Sequence, residues 1–224
     1  MVTLRTAVTS ALAIVGTAAT LAACTSGSES AGTDAPARPS TSVPVSANVV
    51  APAGLVDRTP TGTTLAFGAS AYLPADAFRP AGQLAMFTVT GIEPGSASEL
   101  PESVTHGGTP FYVHVTVTQL ANRQLDVPSV VGLAGSSDGR TATLTETPPD
   151  GFDKCRATEA PRTLGRGNSY ATCFVAVADK GVDLTRVIYW AQTSTDPSAD
   201  YKAAPVVWSD GSPAAPASSP ATTG

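Results

Sequence analysis

The chain has 224 residues, 42% of them hydrophobic and only 14% charged, with 20 Gly and 19 Pro. That balance excludes a charge-rich disordered protein, and no apolar run reaches the roughly 18 residues of a membrane span, which excludes a polytopic membrane protein. Thirteen basic residues against eighteen acidic give a net charge of -5 with no basic patch to neutralise phosphates, so no nucleic-acid partner is expected.

At the start of the chain, Arg5 supplies a short positive segment. Ala7 to Leu21 is an apolar stretch rich in Ala and Thr and too short to span a bilayer, which is the pattern of a signal peptide. It ends in Leu21-Ala22-Ala23-Cys24, which resembles the lipobox of bacterial lipoproteins. That resemblance implies removal of residues 1–23, a diacylglycerol on the Cys24 thiol, and attachment to membrane lipid by more than one acyl chain, which gives stable anchoring. The expected localisation is therefore the extracytoplasmic side of a cell membrane, and the Ala, Thr and Pro bias points to an actinobacterial lipoprotein. Residues 24–60 are Ser/Thr/Ala/Pro/Gly-rich and are expected as a lipidated N-terminus and flexible tether, and residues 209–224 as a disordered tail.

Residues 61–208 are the size of one domain, and their strand signals are regular. Thr63 to Ser70 is the first candidate strand. Leu84 to Thr90 is the second, with Ala85, Phe87 and Val89 on one face. The clearest is Phe111 to Leu120, where Val113, Val115 and Val117 alternate with His114, Thr116 and Thr118, the pattern of an antiparallel sheet with one face on a core. Ser129 to Leu133 and Thr141 to Glu146 follow, separated by a Gly-rich turn, then Ser169 to Ala178, Leu184 to Gln192 and a short Pro205 to Trp208. With no amphipathic helix of four turns, the expected fold class is all-β, an antiparallel β-sandwich of seven to eight strands.

With Cys24 committed to lipid, Cys155 and Cys173 remain as an even pair in an exported domain and are expected to form a disulfide. Their spacing is not the CxxC of a redox or zinc site.

The segment Gly167 to Val177, followed after a turn by Leu184 to Trp190, is similar to the end of small secreted or lipid-anchored immunoglobulin-like domains of Gram-positive bacteria and mycobacteria. These include the mycobacterial secreted immunogenic protein and telokin-like sandwiches. The matching positions are Gly167, Val175, Val177, Val187 and Trp190, and Phe111 to Gln119 looks like the long central strand of such domains. The resemblance implies an immunoglobulin-like sandwich and brings no catalytic residues with it.

Residues that could carry chemistry are few. His106 lies in a polar loop and His114 on the Tyr112/Thr116 face of the central strand; a metal or hydrolytic site using both would need a third ligand, Asp126 or Asp138, and no spacing supports it. No phosphate loop and no G-x-S-x-G is present. No catalytic residue, metal ligand or cofactor is expected, and the protein is read as a non-enzyme. The aromatics are the better functional candidates. Trp190 is expected in the core and Tyr189 on the opposite face, either packed under the C-terminal extension or exposed; if exposed, Tyr189 with Tyr112 and His114 would form an interaction surface for envelope proteins. The alternative is a small-molecule or lipid carrier holding a small apolar ligand between its sheets.

Overall fold

The computed structural model describes residues 43–156 and 161–211. Cys24, the leader, the first half of the expected tether and most of the expected tail lie outside the described residues. The described chain is an all-β sandwich of immunoglobulin-like type with almost no helix. One sheet has five strands in the order β2 (Ser70–Pro74), β3 (Leu84–Pro94), β4 (Thr109–Gln119), β9 (Ser169–Ala178) and β7 (Leu144–Glu146). The other has four, in the order β1 (Thr64–Ala66), β11 (Val206–Ser209), β10 (Arg186–Tyr189) and β6 (Leu133–Ser136). A two-residue ladder joins β5 (Leu125–Asp126) to β8 (Thr163–Leu164).

Thr63 to Ser70, expected as one strand, is two. β1 pairs in parallel with β11, the chain bends at Gly68 with φ of +86°, and β2 then pairs antiparallel with β3 in the opposite sheet. Only glycine takes that backbone region at no steric cost, so Gly68 lets one apolar run serve both sheets and close one side of the sandwich. The other side is closed by the β6–β7 turn. There Asp138 accepts hydrogen bonds from the backbone N–H groups of Arg140 and Thr141 and from the hydroxyls of Ser136 and Thr141. Partial desolvation pushes the Asp138 carboxyl up, but these donors outweigh it and hold the pKa down at about 2.

The core between the sheets is built from alternate residues. Phe87 and Val89 on β3, Phe111, Val113, Val115 and Val117 on β4, and Phe174 and Ala176 on β9 meet Val187, Tyr189, Val206 and Trp208 of the four-stranded sheet. Tyr201 adds an edge-on contact to Tyr189, with ring centroids 5.3 Å apart.

The alternation on β4 predicts a solvated outer face, yet Tyr112, His114, Thr116 and Thr118 are all buried. Two covers account for this. At one end, the loops around Leu100 and Phe152 pack on Tyr112, Val175 and Val177, fastened by the Cys155–Cys173 disulfide, whose Cα atoms are 5.2 Å apart. At the other, residues 43–56, expected as free tether, lie along the sheet. Val43 N–H donates to Glu93 Oε1, Ala47 N–H donates to Thr116 Oγ1, and the Arg166 guanidinium donates to the carbonyls of Pro52 and Gly54. These Ser/Ala/Pro/Val residues have little to bury, but their backbone groups are bound by side chains of the sheet and by Arg166 of the β8–β9 turn, a contact that composition does not reveal. At the other terminus, Ser209 closes β11 instead of opening a tail.

Candidate interaction surface

The residues expected at the surface are inside. Tyr189 is fully buried in the sandwich core, 6.3 Å centroid to centroid from Phe87. On β10 it is Val187 and Tyr189 that point between the sheets, which leaves Trp190, just past the end of the strand, half-buried and outside that core: the expected assignment of these two aromatics is reversed. The Tyr189 hydroxyl has no hydrogen-bond partner among the described residues, and burial raises its pKa, as does the neighbouring Tyr201. Removing an unpartnered buried hydroxyl relieves its desolvation cost and breaks no hydrogen bond, so Tyr189→Phe is expected to leave stability unchanged or raise it by about 1 kcal/mol in urea denaturation. A loss above 1 kcal/mol would show that the hydroxyl has a partner in solution.

Tyr112 is buried as well. Its hydroxyl donates to Glu99 Oε2 at 2.7 Å, its ring lies edge-on to Phe152, and burial followed by the Glu99 carboxylate raises its pKa. Lys154 donates to the other Glu99 oxygen at 2.7 Å, and these two bonds, the lysine's first, lower the Glu99 pKa.

His114 is also buried, 3% exposed, between the points where Val43 and Ala47 are attached to the sheet. Burial lowers its pKa below 6.5, against a smaller upward pull from Glu93. Because the folded pKa is lowered, the unfolded chain takes up a proton that the native state refuses. The stability is therefore fully present above pH 6.5 and falls as pH drops below it toward the folded value. Wild type is expected to lose more stability than His114→Gln between pH 7.5 and 5.5 in denaturant titrations; parallel losses would exclude the histidine as the cause.

His106 and His114 are not brought together. His106 caps the short helix Glu102–Thr105 in the left-handed region, with φ of 48°, and its Nε2 lies 3.1 Å from Glu146 Oε1. Among the described residues, no three His, Cys, Asp or Glu side chains converge as a metal site. The inter-sheet space that a carrier would use is filled by Phe87, Tyr189, Tyr201 and Trp208.

What the fold does project is Phe78. The β2–β3 loop is held by Asp76, whose side chain accepts from Phe78 N–H at 2.9 Å and lies 3.7 Å from Arg79. The loop backbone is closed by Arg79 N–H to Asp76 O and Gly82 N–H to Arg79 O. This turn leaves the Phe78 ring 82% exposed while its neighbour Ala77 is tucked inward. Ala77 abuts Gly132, where a Cβ would lie 3.3 Å from the Ala77 methyl and 3.0 Å from the Tyr189 ring. Gly132 has φ of +100° and its carbonyl accepts from Trp190 N–H at 2.7 Å, so three loops meet there. Each carries an apolar side chain outward beside the junction: Phe78, Val131 at 46% exposure, and half-buried Trp190 with the Lys202 ammonium 4.6 Å from its ring centroid. Phe78 carries no periodic signal in the sequence; its one mark is an aromatic inside Tyr72-Leu-Pro-Ala-Asp-Ala-Phe-Arg-Pro80, bracketed by prolines that deny the segment around it a regular strand or helix.

No protein-family model matches the chain, and neither does any curated protein sequence. Among solved structures, the chain is similar to the 1.5 Å crystal structure of MPT63, a secreted protein from Mycobacterium tuberculosis, at 14% identity and a TM-score of 0.44, covering 65% of this chain and 95% of that one. The protein matched there is described as secreted, not as a lipoprotein anchored in a membrane, and on that finding the expected lipoprotein family placement and membrane localisation are corrected; Cys24 itself lies outside the described residues.

Proposed function

We propose that the domain is a non-catalytic recognition module that engages a protein partner through the loop end around Phe78. The observation that carries this reading is an aromatic side chain 82% exposed on a loop whose own hydrogen bonds fix it in place. A mobile exposed aromatic would pay ordering entropy on binding; one presented on a closed turn pays less. Exposed aromatics of this kind anchor interfaces by entering a pocket on the partner, and Val131, Trp190 and the Lys202 and Arg79 cations would form the surround. The matching partner carries an apolar recess rimmed by carboxylates.

Burial of a Phe side chain is worth about 1.5–3 kcal/mol, or roughly 10- to 150-fold in affinity. Immobilised full-length chain is expected to capture a partner from native extracytoplasmic extract. Phe78→Ser should reduce that capture at least tenfold with no change in melting temperature, since the side chain supports nothing inside the fold. Equal capture by the two forms would sink this reading.

A further inference from the structure

We propose that the outer face of the five-stranded sheet is a groove for an extended peptide, filled in cis by residues 43–54, and that residues 43–54 of a second copy of this chain can take their place. This face is separate from the Phe78 loops and does not depend on the reading given for them.

The way the segment is held points to a peptide site. None of it pairs as a strand; its main-chain groups are bound by side chains far away in sequence. Glu93 accepts from Val43 N–H at 2.6 Å, Thr90 donates to the Pro44 carbonyl, and Thr116 accepts from Ala47 N–H at 2.8 Å. Arg166 then clamps the Pro52 carbonyl at 2.8 Å together with that of Gly54, while also donating to the Leu120 carbonyl at the end of β4. Contacts to main-chain groups give affinity that tolerates sequence change in the occupant, and pockets for single side chains add selectivity.

One such pocket is present. At the β3 bulge, Gly91 leaves a hollow in which the two Val43 methyls sit, 2.7 and 2.9 Å from where a Cβ at 91 would be. An alanine there would collide with Val43, so the hollow exists because residue 91 has no side chain.

Beyond these contacts and its cover over His114 and Thr116, the occupant contributes little to its own domain. Val45 and Val50 point to solvent at 67% and 89% exposure, as does Leu55 just beyond the segment at 99%. Residues 43–56 carry no charged side chain, so identical segments on two copies do not repel one another. Contacts made in cis and in trans would be the same, the condition under which exchange between protomers costs little beyond association. The cis segment is tied nearby, with Thr59 hydrogen-bonded to Tyr72 on β2, and a short tether of this kind gives an effective concentration in the millimolar range. A second copy therefore enters when the cis contact is weakened.

Two full-length variants separate donor from acceptor. Val43→Asp sets a carboxylate against Glu93 and spoils the cis segment while leaving the groove intact. Gly91→Ala combined with Thr116→Val spoils the groove while leaving the segment intact. Each alone is expected to be monomeric in light scattering, and a mixture to give a 1:1 complex. A labelled synthetic peptide of residues 43–56 should bind Val43→Asp at least tenfold more tightly than wild type, and lose that binding when Gly91→Ala is added. Should Val43→Asp fail to fold, Ala47→Pro, which deletes the N–H bound by Thr116, serves as the acceptor. Peptide binding without the mixed complex overturns the second copy as occupant; folded acceptors that bind neither peptide nor donor chain overturn the groove itself.

Discussion

Replacing Trp208 by alanine is expected to lower the stability of the domain by about 3–5 kcal/mol, the cost of truncating a large buried aromatic. Trp208 is the largest of the fully buried side chains. It lies at the centre of the four-stranded sheet, opposite Leu65 on β1 and Val187 on β10, and so supports both neighbours of β11. Its indole N–H donates to the Ala69 carbonyl at 2.9 Å, just beyond the bend at Gly68 where the chain leaves one sheet for the other. Truncation therefore removes a core filler and a tie on the crossover together. Trp208→Phe keeps most of the ring volume but leaves the Ala69 carbonyl without its donor, and should cost less, about 1–3 kcal/mol. Urea denaturation of the two variants gives both numbers; a loss below 1 kcal/mol for Trp208→Ala would mean that the two sheets do not depend on this side chain.

The core around Trp208 was legible in the sequence in part. Strand existence was legible: Ala85, Phe87 and Val89, and Val113, Val115 and Val117, face the core as their alternation predicts, because a period of two has one physical cause. What covers the other face was not. Thr116 and His114 look like solvent-facing residues until residues 43–56 lie over them, and that segment binds through its backbone, which every sequence possesses. The same limit applies to Tyr189 and Trp190. Alternation says that they point apart, but which one points inward depends on the register of β10 against β6 and β11, pairings remote in sequence. Phe78 was hidden for a different reason: a residue that packs against nothing leaves no periodic trace, and its exposure follows from the Asp76 turn.

Cleavage of the Cys155–Cys173 bridge, by the paired change Cys155→Ser and Cys173→Ser, is expected to cost about 3 kcal/mol. The two cysteines are 18 positions apart, and closing a loop of that length removes roughly this much conformational freedom from the unfolded chain. The structural consequence should be local. Cys173 lies on β9 directly opposite His114, anchored by the ladder with β4, whereas Cys155 ends a single 3-10 turn, Asp153–Cys155, on a loop with no strand partner. Without the bridge, the loop around Phe152 keeps its edge contact with Tyr112, 5.2 Å between centroids, and the Lys154–Glu99 pair, which is partly exposed and contributes little. Hydrogen exchange should therefore quicken in residues 149–156 and in Ala97–Thr105 on the same cover. Protection of β10 and β11, on the far sheet, should fall only by the global loss of stability. If residues 149–156 keep their protection after the bridge is removed, the cover is held by the packing of Phe152, Leu100 and Tyr112, and the disulfide acts on the unfolded chain alone.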